Sequence, residues 1–570
     1  MVYISHIRDT KKLNAYRDRR WAHIACRDDI EFIYALLDEN KKISTAKLIE
    51  HITEAVRNNF IHYVGQLANQ QENKVLWYSC RLASKSVSQT DVFHQYVYIK
   101  LVEELARQEA NLLIVTDNDD FLYNLSRLKI SDVEIMSNAG FKRDKLSYKG
   151  FRKILKFIVL WTLLVRRKDR SIKDVNCYLH MWIDARLFNH PADTHDPYWG
   201  RLEKSLSDEG FKTGRLAPLS IPVRFIGKAE KHVPNIIYPL AYVNLTRLVK
   251  CMFTRFNIFI DQRLFQDLVD LEILLHLTQQ EVSKERTSKQ YLDYLLYYYA
   301  YKGIGAYIFD TVTVIYLYEN QPWEKMLNMA FSGCNRIGYQ HATIPYNWLD
   351  YYTSDYETCE PRPTVVLTSG TCWTRFLENS NKALKVQEAG TIRYNYLFDQ
   401  GKNKIKCSAD RIIVALPIDP GNALQLQNQL LKVLKDDRFS KYTFLIKPHP
   451  YLQRRYIKNS QFSSFKNASI TDTPIKELIQ ECELLISVDS TVAFESLFAG
   501  VKTLNYIPEE LTQGIEHFIS RFSFCAYDHN FPEVVIKAVD SREYPDVDIK
   551  EYFSPVNFDV FIQHAKACLN

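Results

Sequence analysis

Glycine is scarce in this chain: 17 of 570 residues, about 3% against roughly 7% in an average protein. A short motif that does contain glycine therefore carries more weight than usual. Eleven cysteines are scattered singly, with no Cys-x-x-Cys pair. That excludes a zinc ribbon or a disulfide scaffold and points to reduced thiols in the cytosol. Long apolar runs are missing too. The longest, Phe157–Val165 (FIVLWTLLV), has nine residues, about half of the ~20 needed to span a bilayer. The opening MVYISHIRDTKKLNAYRDRRW has no apolar h-region, so no secretory signal is expected. The net charge of +6 is slight for this length, and no basic stripe alternates with aromatics, which argues against a nucleic-acid partner. With 46% hydrophobic and 25% charged residues, a disordered, collagen-like or coiled-coil chain is also excluded.

The remaining pattern is alternation. Lys74–Cys80 reads as a strand, Phe93–Gln108 as an amphipathic helix and Asn111–Thr116 as a strand, a β-α-β unit with a right-handed crossover. Further strands are expected at Cys177–Asp184 and Val223–Gly227, with a helix at Leu202–Glu209. From about Tyr238 to Tyr301 the pattern is helical. Thr313–Tyr318, Trp323–Ser332 and Arg336–His341 read as strand, helix and strand. The polar, Pro-containing stretch Asn347–Pro363 reads as a hinge, and short strands and helices alternate after it as far as Thr503–Tyr506. The expected fold class is α/β, with two Rossmann-like doubly wound domains, 1–355 and 356–570, facing a cleft, and a helical insertion at about 238–301. The apolar run at 157–165 has basic shoulders. A helix over 151–170 therefore suits either an anionic membrane surface or a buried site with solvated ends.

Two motifs carry the chemistry. Phe444–Pro450 (FLIKPHP) is an apolar strand running into Lys447 and His449; Leu484–Gly500 (LLISVDSTVAFESLFAG) is strand, polar turn and helix. Both end strands at the sheet edge where open α/β folds bind ligands. Ser490 and Thr491 at a helix start suit a phosphate, His449 is placed to donate to it, and Glu495 accepts from a ribose or caps the loop. Ordinary capping is the competing account of Ser490 and Glu495.

Together, KPHP and the DST-x3-ES-x3-G block resemble the nucleotide-binding half of GT-B glycosyltransferases that build bacterial surface polysaccharides. The kinds meant are capsule Kdo-transferase-like, polysialyltransferase-like and CDP-glycerol-polymerase-like proteins. YENQPWEK (Tyr318–Lys325), GYQHATIPYN (Gly338–Asn347) and GTIRYNYL (Gly390–Leu397) are similar to bacterial surface carbohydrate biosynthesis proteins of the same superfamily. The likeness extends more weakly from about Trp77 to Tyr506. It implies a GT-B-like fold, a nucleotide-sugar donor (a cytidine nucleotide favoured), and phosphate contacts from His449, Ser490 and Thr491, with Glu495 supporting the pocket. It also implies a lipid-linked or lipopolysaccharide glycan acceptor, and action without a metal or other cofactor. The setting implied is cytoplasmic, on the inner face of the cell membrane.

On this reading Gln340 and His341 face the cleft, Gln340 toward the acceptor and His341 as a catalytic residue or, alternatively, as a core or supporting histidine. Arg393, near Gly390, pairs with a diphosphate or forms a hinge salt bridge. Glu319 is a catalytic base or a helix-start carboxylate. The loop DARLFNHPADTHDPYW holds Asp184, His190, Asp193 and His195. These read as suppliers of the base or acceptor contacts, as a metal set, or as plain loop polarity. TDNDD (Thr116–Asp120) reads as a strand-end loop touching acceptor. Polyol-phosphate transfer of the teichoic-acid type, sugar-nucleotide epimerisation and an inactive sugar-nucleotide-binding scaffold are the alternatives.

Overall fold

The computed structural model describes residues 1–26, 31–137, 148–168, 171–183, 198–218, 223–233, 235–265, 267–308, 311–358, 360–399, 410–545 and 547–567. Its strands form three wholly parallel sheets. A small one contains β1 (Val2–His6), β2 (Trp21–His23), β3 (Leu112–Thr116) and β4 (Val133–Ile135), in the order β2-β3-β1-β4. The largest contains β5 (Cys177–His180), β6 (Thr213–Leu216), β7 (Ile236–Ile237), β8 (Thr313–Leu317), β9 (Asn335–Tyr339), β10 (Val365–Thr368) and β11 (Val386–Glu388), ordered β11-β10-β9-β8-β5-β6-β7. The third contains β12 (Arg411–Ala415), β13 (Thr443–Lys447), β14 (Ala468–Ile470), β15 (Leu484–Ser487), β16 (Lys502–Tyr506) and β17 (Phe524–Ala526), ordered β14-β13-β12-β15-β16-β17.

In each of the two larger sheets the chain starts centrally, runs three strands to one edge, returns beside its first strand and runs to the other edge. Right-handed crossovers then place connections on both faces. Burial agrees: Ile412, Val414, Leu484 and Ile486 belong to one apolar cluster, while Ile413 and Leu485 belong to another. Strands covered on both faces read as continuous apolar runs, which is why they were legible. The doubly wound α/β expectation holds for both. The small third sheet was not anticipated.

Three local expectations are corrected. Lys74–Cys80 is not a strand; a helix, Lys74–Tyr78, starts there because the Asn73 side chain accepts from the Leu76 amide at 3.0 Å. The expected β-α-β unit therefore dissolves into two helices and β3. Val223–Gly227 opens a helix, Val223–His232, whose buried Ile226 and Ala229, with Val233 just after its end, follow helical spacing. The boundary at 355 also moves. β10 and β11 still belong to the seven-stranded sheet, so the change of sheet falls between Glu388 and Arg411.

The stretch Asn347–Pro363 is a fastened strap rather than a hinge. Lys325–Glu360 at 2.9 Å and Lys85–Glu357 at 2.7 Å tie it down, all four side chains fully buried. The C-terminal helix Phe558–Lys566 returns to the first large sheet, where Thr313 Oγ1 donates to the Ala565 carbonyl at 3.2 Å. Residues 549–566 therefore reach back to the first domain, while Glu551, Tyr552 and Phe553 also touch Arg521, Phe494 and Phe498 of the second.

The expected helical insertion is present as Leu245–Phe253, Leu271–Ser288 and Tyr291–Gly305. The apolar run 157–165 lies mostly in a helix, Tyr148–Leu164. No helix among the described residues is long and apolar enough to cross a membrane. The small sheet's unit is latched to the six-stranded one through buried carboxylates. Glu509 accepts from the Thr45 and Ala46 amides at 2.6 and 3.0 Å, and Glu510 from the Tyr98 hydroxyl at 2.6 Å.

Candidate active site

Where strand order reverses, neighbouring crossovers diverge and leave a crevice at the carboxyl ends of the two central strands. In the seven-stranded sheet that point lies between β5 and β8, and β8 leads directly into Tyr318 and Glu319. The chain turns sharply here, with Asn320 at φ +55°, a left-handed position that asparagine tolerates. The turn starts the helix Pro322–Ala330, whose exposed amides need acceptors. Glu324 and Gln321 form a capping box there, and the Glu324 carboxylate accepts from the amides of Glu319, Asn320 and Gln321, in the turn leading into the helix, at 2.9–3.2 Å. The capping role considered for Glu319 is thus taken by Glu324, and the Glu319 carboxylate is left for the cavity.

Glu319 keeps a third of its side chain exposed, and Nε2 of the nearly buried His341 lies 3.8 Å away. That is too long for a hydrogen bond. Protein walls around Glu319 push its carboxyl up to about 7, against the opposing pull of Arg393. Burial, and secondly Arg393, holds the His341 imidazole down at about 3. At neutral pH the pair is therefore an uncharged imidazole beside a carboxyl poised to lose or take a proton. Tyr198 meets the His341 ring edge-on at 5.3 Å.

Arg393 also acts on Glu495, which burial raises and which accepts a hydrogen bond from the Tyr396 hydroxyl. The charge of one guanidinium is thus felt both by the Glu319–His341 pair and by Glu495 of the ES motif. Ser490 and Thr491 are part-exposed just before the helix Val492–Phe498. They follow β15, on the crevice side of the β12/β15 reversal. Lys447 and His449 follow β13, on the far side of β12, roughly 10 Å away at ~4.8 Å per strand. The Tyr451 amide donates to His449 Nδ1 at 3.2 Å, which sets the ring's orientation in the loop. Partial burial keeps Lys447 below the usual lysine range. Asp489 sits at φ +43° and its carboxylate accepts from the amides of Gln513, Gly514 and Ile515, so it fastens the loop after β16.

Some expected roles do not survive. Gln340 is wholly buried, and its Oε1 accepts from the Ser369 amide and hydroxyl at 2.9 Å each. It ties β9 to the end of β10 and so positions His341; it does not face an acceptor. Gly390, at φ +81°, is accounted for without a ligand, because a Cβ there would lie 2.1 Å from the Pro555 carbonyl oxygen. In TDNDD, Asn118 caps a helix by accepting from the Phe121 amide at 2.9 Å, and Asp120 pairs with Lys284 at 2.7 Å. Asp184, His190, Asp193 and His195 lie outside the described residues. Among the described residues no group of three His, Cys, Asp or Glu side chains is placed to hold a metal ion.

Sequence reasoning missed the aromatic wall. A cavity of about 510 Å³ opens on Glu319 and is lined by Trp182, Trp323, Trp348, Tyr294 and Tyr297. His180, at the end of β5, stacks on Trp323 at 4.4 Å and supports it from behind. These residues come from distant stretches, so no local motif announces them; only the position of Trp182 and Trp323 just past central strands was readable. A second cavity of about 440 Å³ shares Ser88 and Trp348 with the first and reaches the loop after β12 at Ile418, Asp419 and Asn422. The two cavities therefore adjoin and join both switch points.

No known sequence-family profile matches the chain, and no curated protein does. Several solved structures overlap it at low similarity. UDP-GlcNAc 2-epimerase from Methanocaldococcus jannaschii shares 7% identity and a TM-score of 0.40, over 68% of this chain and 98% of its own. A putative UDP-N-acetylglucosamine 2-epimerase from Listeria monocytogenes shares 8% and 0.41, over 70% and 97%. Acinetobacter baumannii MurG shares 10% and 0.34, over 68% and 99%.

Proposed function

We propose that this protein is a glycosyltransferase that moves a sugar from a nucleotide donor, a cytidine nucleotide favoured by the KPHP and DST-x3-ES motifs, onto a bacterial surface glycan. The observation that carries the reading is the juxtaposition at Glu319: a carboxyl poised near neutrality, an aromatic-walled cavity on one side, and Arg393 leading to the Ser490–Glu495 motif on the other. Aromatic faces suit the C–H faces of a sugar ring, and a few polar groups among them fix its orientation.

In the proposed reaction an acceptor hydroxyl in the 510 Å³ cavity gives its proton to Glu319 as its oxygen attacks the anomeric carbon of the donor. The bond from that carbon to the phosphate oxygen breaks, and its electron pair leaves with the nucleotide. Arg393, with the hydroxyls of Ser490 and Thr491 and the imidazole of His449, meets the charge on the departing phosphate. Neutral His341 backs Glu319 without competing for that charge.

The test is a thermal-shift panel with CMP, CDP, UDP, GDP and dTDP, on wild type, His449→Ala and Arg393→Ala. A nucleotide at about 100 times its dissociation constant stabilises by about 2.7 kcal/mol. The expected result is a cytidine-selective shift that both substitutions reduce. A uridine or guanosine preference would remove the cytidine assignment and keep sugar transfer. No shift with any nucleotide would overturn the proposal in favour of a protein that uses no nucleotide donor.

A further inference from the structure

The helix Tyr148–Leu164 is two-faced. Phe157, Leu160 and Leu164 are buried, at 1–4% exposure, whereas Leu155, Ile158, Val159 and Leu163 stand 37–50% exposed. Those four are spaced as one stripe along the outer side. Helix Leu245–Phe253 repeats the arrangement: Leu248 and Cys251 are buried, while Leu245, Val249 and Phe253 are exposed, Phe253 by 82%. The two helices are stitched together, since Trp161 Nε1 donates to the Val243 carbonyl at 2.8 Å, two residues before the second helix. Beside Phe253 opens a cavity of about 690 Å³ whose lining includes Arg255, Arg286 and Lys289 and, among the described residues, no acidic one.

The charge pattern names the occupant. No Asp or Glu occurs between Asp144 and Asp169, or between Glu230 and Asp261, although the chain as a whole is nearly balanced. Exposed Lys156 and Arg166 border the first stripe, and Lys250 and Arg255 the second. Arg167 is engaged by Glu230 at 2.8 Å and Lys168 by the Tyr307 hydroxyl at 2.6 Å, so those two are set aside. A second copy docking by two-fold symmetry would bring like charges together. A bare nucleic acid would leave the aliphatic stripes unburied. An anionic bilayer satisfies both features, taking apolar side chains below its headgroups and basic ones at the phosphate level.

We propose that these two helices, with the basic cavity beside Phe253, form a surface that docks the protein onto an anionic lipid bilayer. The inference stands apart from the sugar-transfer reading, because it concerns adsorption and not chemistry. The test is co-sedimentation of the full chain with vesicles of phosphatidylcholine alone and with about 30 mol % phosphatidylglycerol. Wild type, Ile158→Asp, Phe253→Asp and the pair Lys250→Gln/Arg255→Gln are compared, with circular dichroism and sedimentation velocity as controls. The expected result is binding to the anionic vesicles that weakens with salt. Each aspartate substitution should lower partitioning about tenfold or more, and the glutamine pair should reduce the anionic preference while the protein stays folded. Wild type failing to bind, wild type binding both vesicles equally, or folded aspartate variants binding like wild type would each overturn the proposal. Loss of a dimer on Phe253→Asp, with no vesicle binding by wild type, would reassign the surface to self-association. The nucleotide panel can fail while this result stands, and the reverse.

Discussion

Replacing Glu319 by glutamine separates catalysis from stability. Its carboxyl is raised to about 7 in the folded protein, against roughly 4.3 in an unfolded chain. A raised folded value means that the group's contribution to stability is fully present below about pH 4.3 and is lost as pH rises through about 7. The rise corresponds to at most ~3.7 kcal/mol. A third of the side chain is exposed to the cavity, and solvent screening there trims the figure to roughly 1–2 kcal/mol. Glutamine keeps the shape and has no proton to lose. Glu319→Gln should therefore be about as stable as wild type near pH 4.5, and roughly 1–2 kcal/mol more stable near pH 8.5.

Activity should move the other way. The reaction needs Glu319 deprotonated, so wild-type kcat/KM should rise about tenfold per pH unit below 7 and level off above it. Glu319→Gln should lose about 100-fold or more at pH 8.5 together with that inflection. Thermal melting of both proteins across this pH range, with nucleotide release as the activity readout, makes the comparison. A variant that is stabilised and inactive at high pH supports a base held in a costly environment for function. Retained activity would refute the assignment of the base. A stability difference that does not change with pH would refute the placement of its titration near 7.

Two further outcomes follow from neighbouring residues. Lys325→Met should destabilise by about 3–5 kcal/mol, because it strands the fully buried Glu360. Lys325 holds Glu360 down at about 2 despite burial, so this pair's stabilisation is present above about pH 4.3 and lost as pH falls toward 2. Acid melting curves of the variant should lack that component, and an unchanged curve would refute it. Trp182→Ala removes one wall of the aromatic cavity and should raise the acceptor KM about tenfold while the nucleotide-induced melting shift stays as in wild type; a change in that shift alone would place Trp182 on the donor side.

The strands that make the two large sheets were legible because parallel strands covered on both faces must be apolar throughout. Runs such as Leu484–Ser487 and Thr313–Leu317, buried at every position, have no other place to go. The failures have equally local causes. Lys74–Cys80 has strand-like composition, yet Asn73 in front of it caps a helix, and a cap outweighs a weak β preference. The small sheet escaped notice because β1 pairs with β3 and β4, more than a hundred residues further on, and no local pattern encodes that pairing. The domain boundary was misplaced for a related reason. Asn347–Pro363 is polar, as a linker would be, but its carboxylates Glu357 and Glu360 point inward to Lys85 and Lys325, and composition does not reveal partners.

Within the site, the same division explains what was read and what was not. Strand ends are visible in sequence, so the positions of Glu319, His341, Ser490 and Thr491 just past strands were readable. What distinguishes a usable group from a spent one at such a position is where its hydrogen bonds go. Glu319 and Glu324 are both carboxylates at one helix start, and sequence alone makes either the cap. Glu324 takes the three free amides, and burial beside Glu319 raises it well above the usual carboxylate range. Gln340 and His341 are likewise adjacent, but Gln340 spends its amide on Ser369 and Ala342 and so fixes the strand end from which His341 approaches Glu319. Glu319 and His341 thus each have a neighbour that satisfies the backbone in their stead, and that exchange, invisible to spacing rules, is what leaves one carboxylate facing a cavity of about 510 Å³.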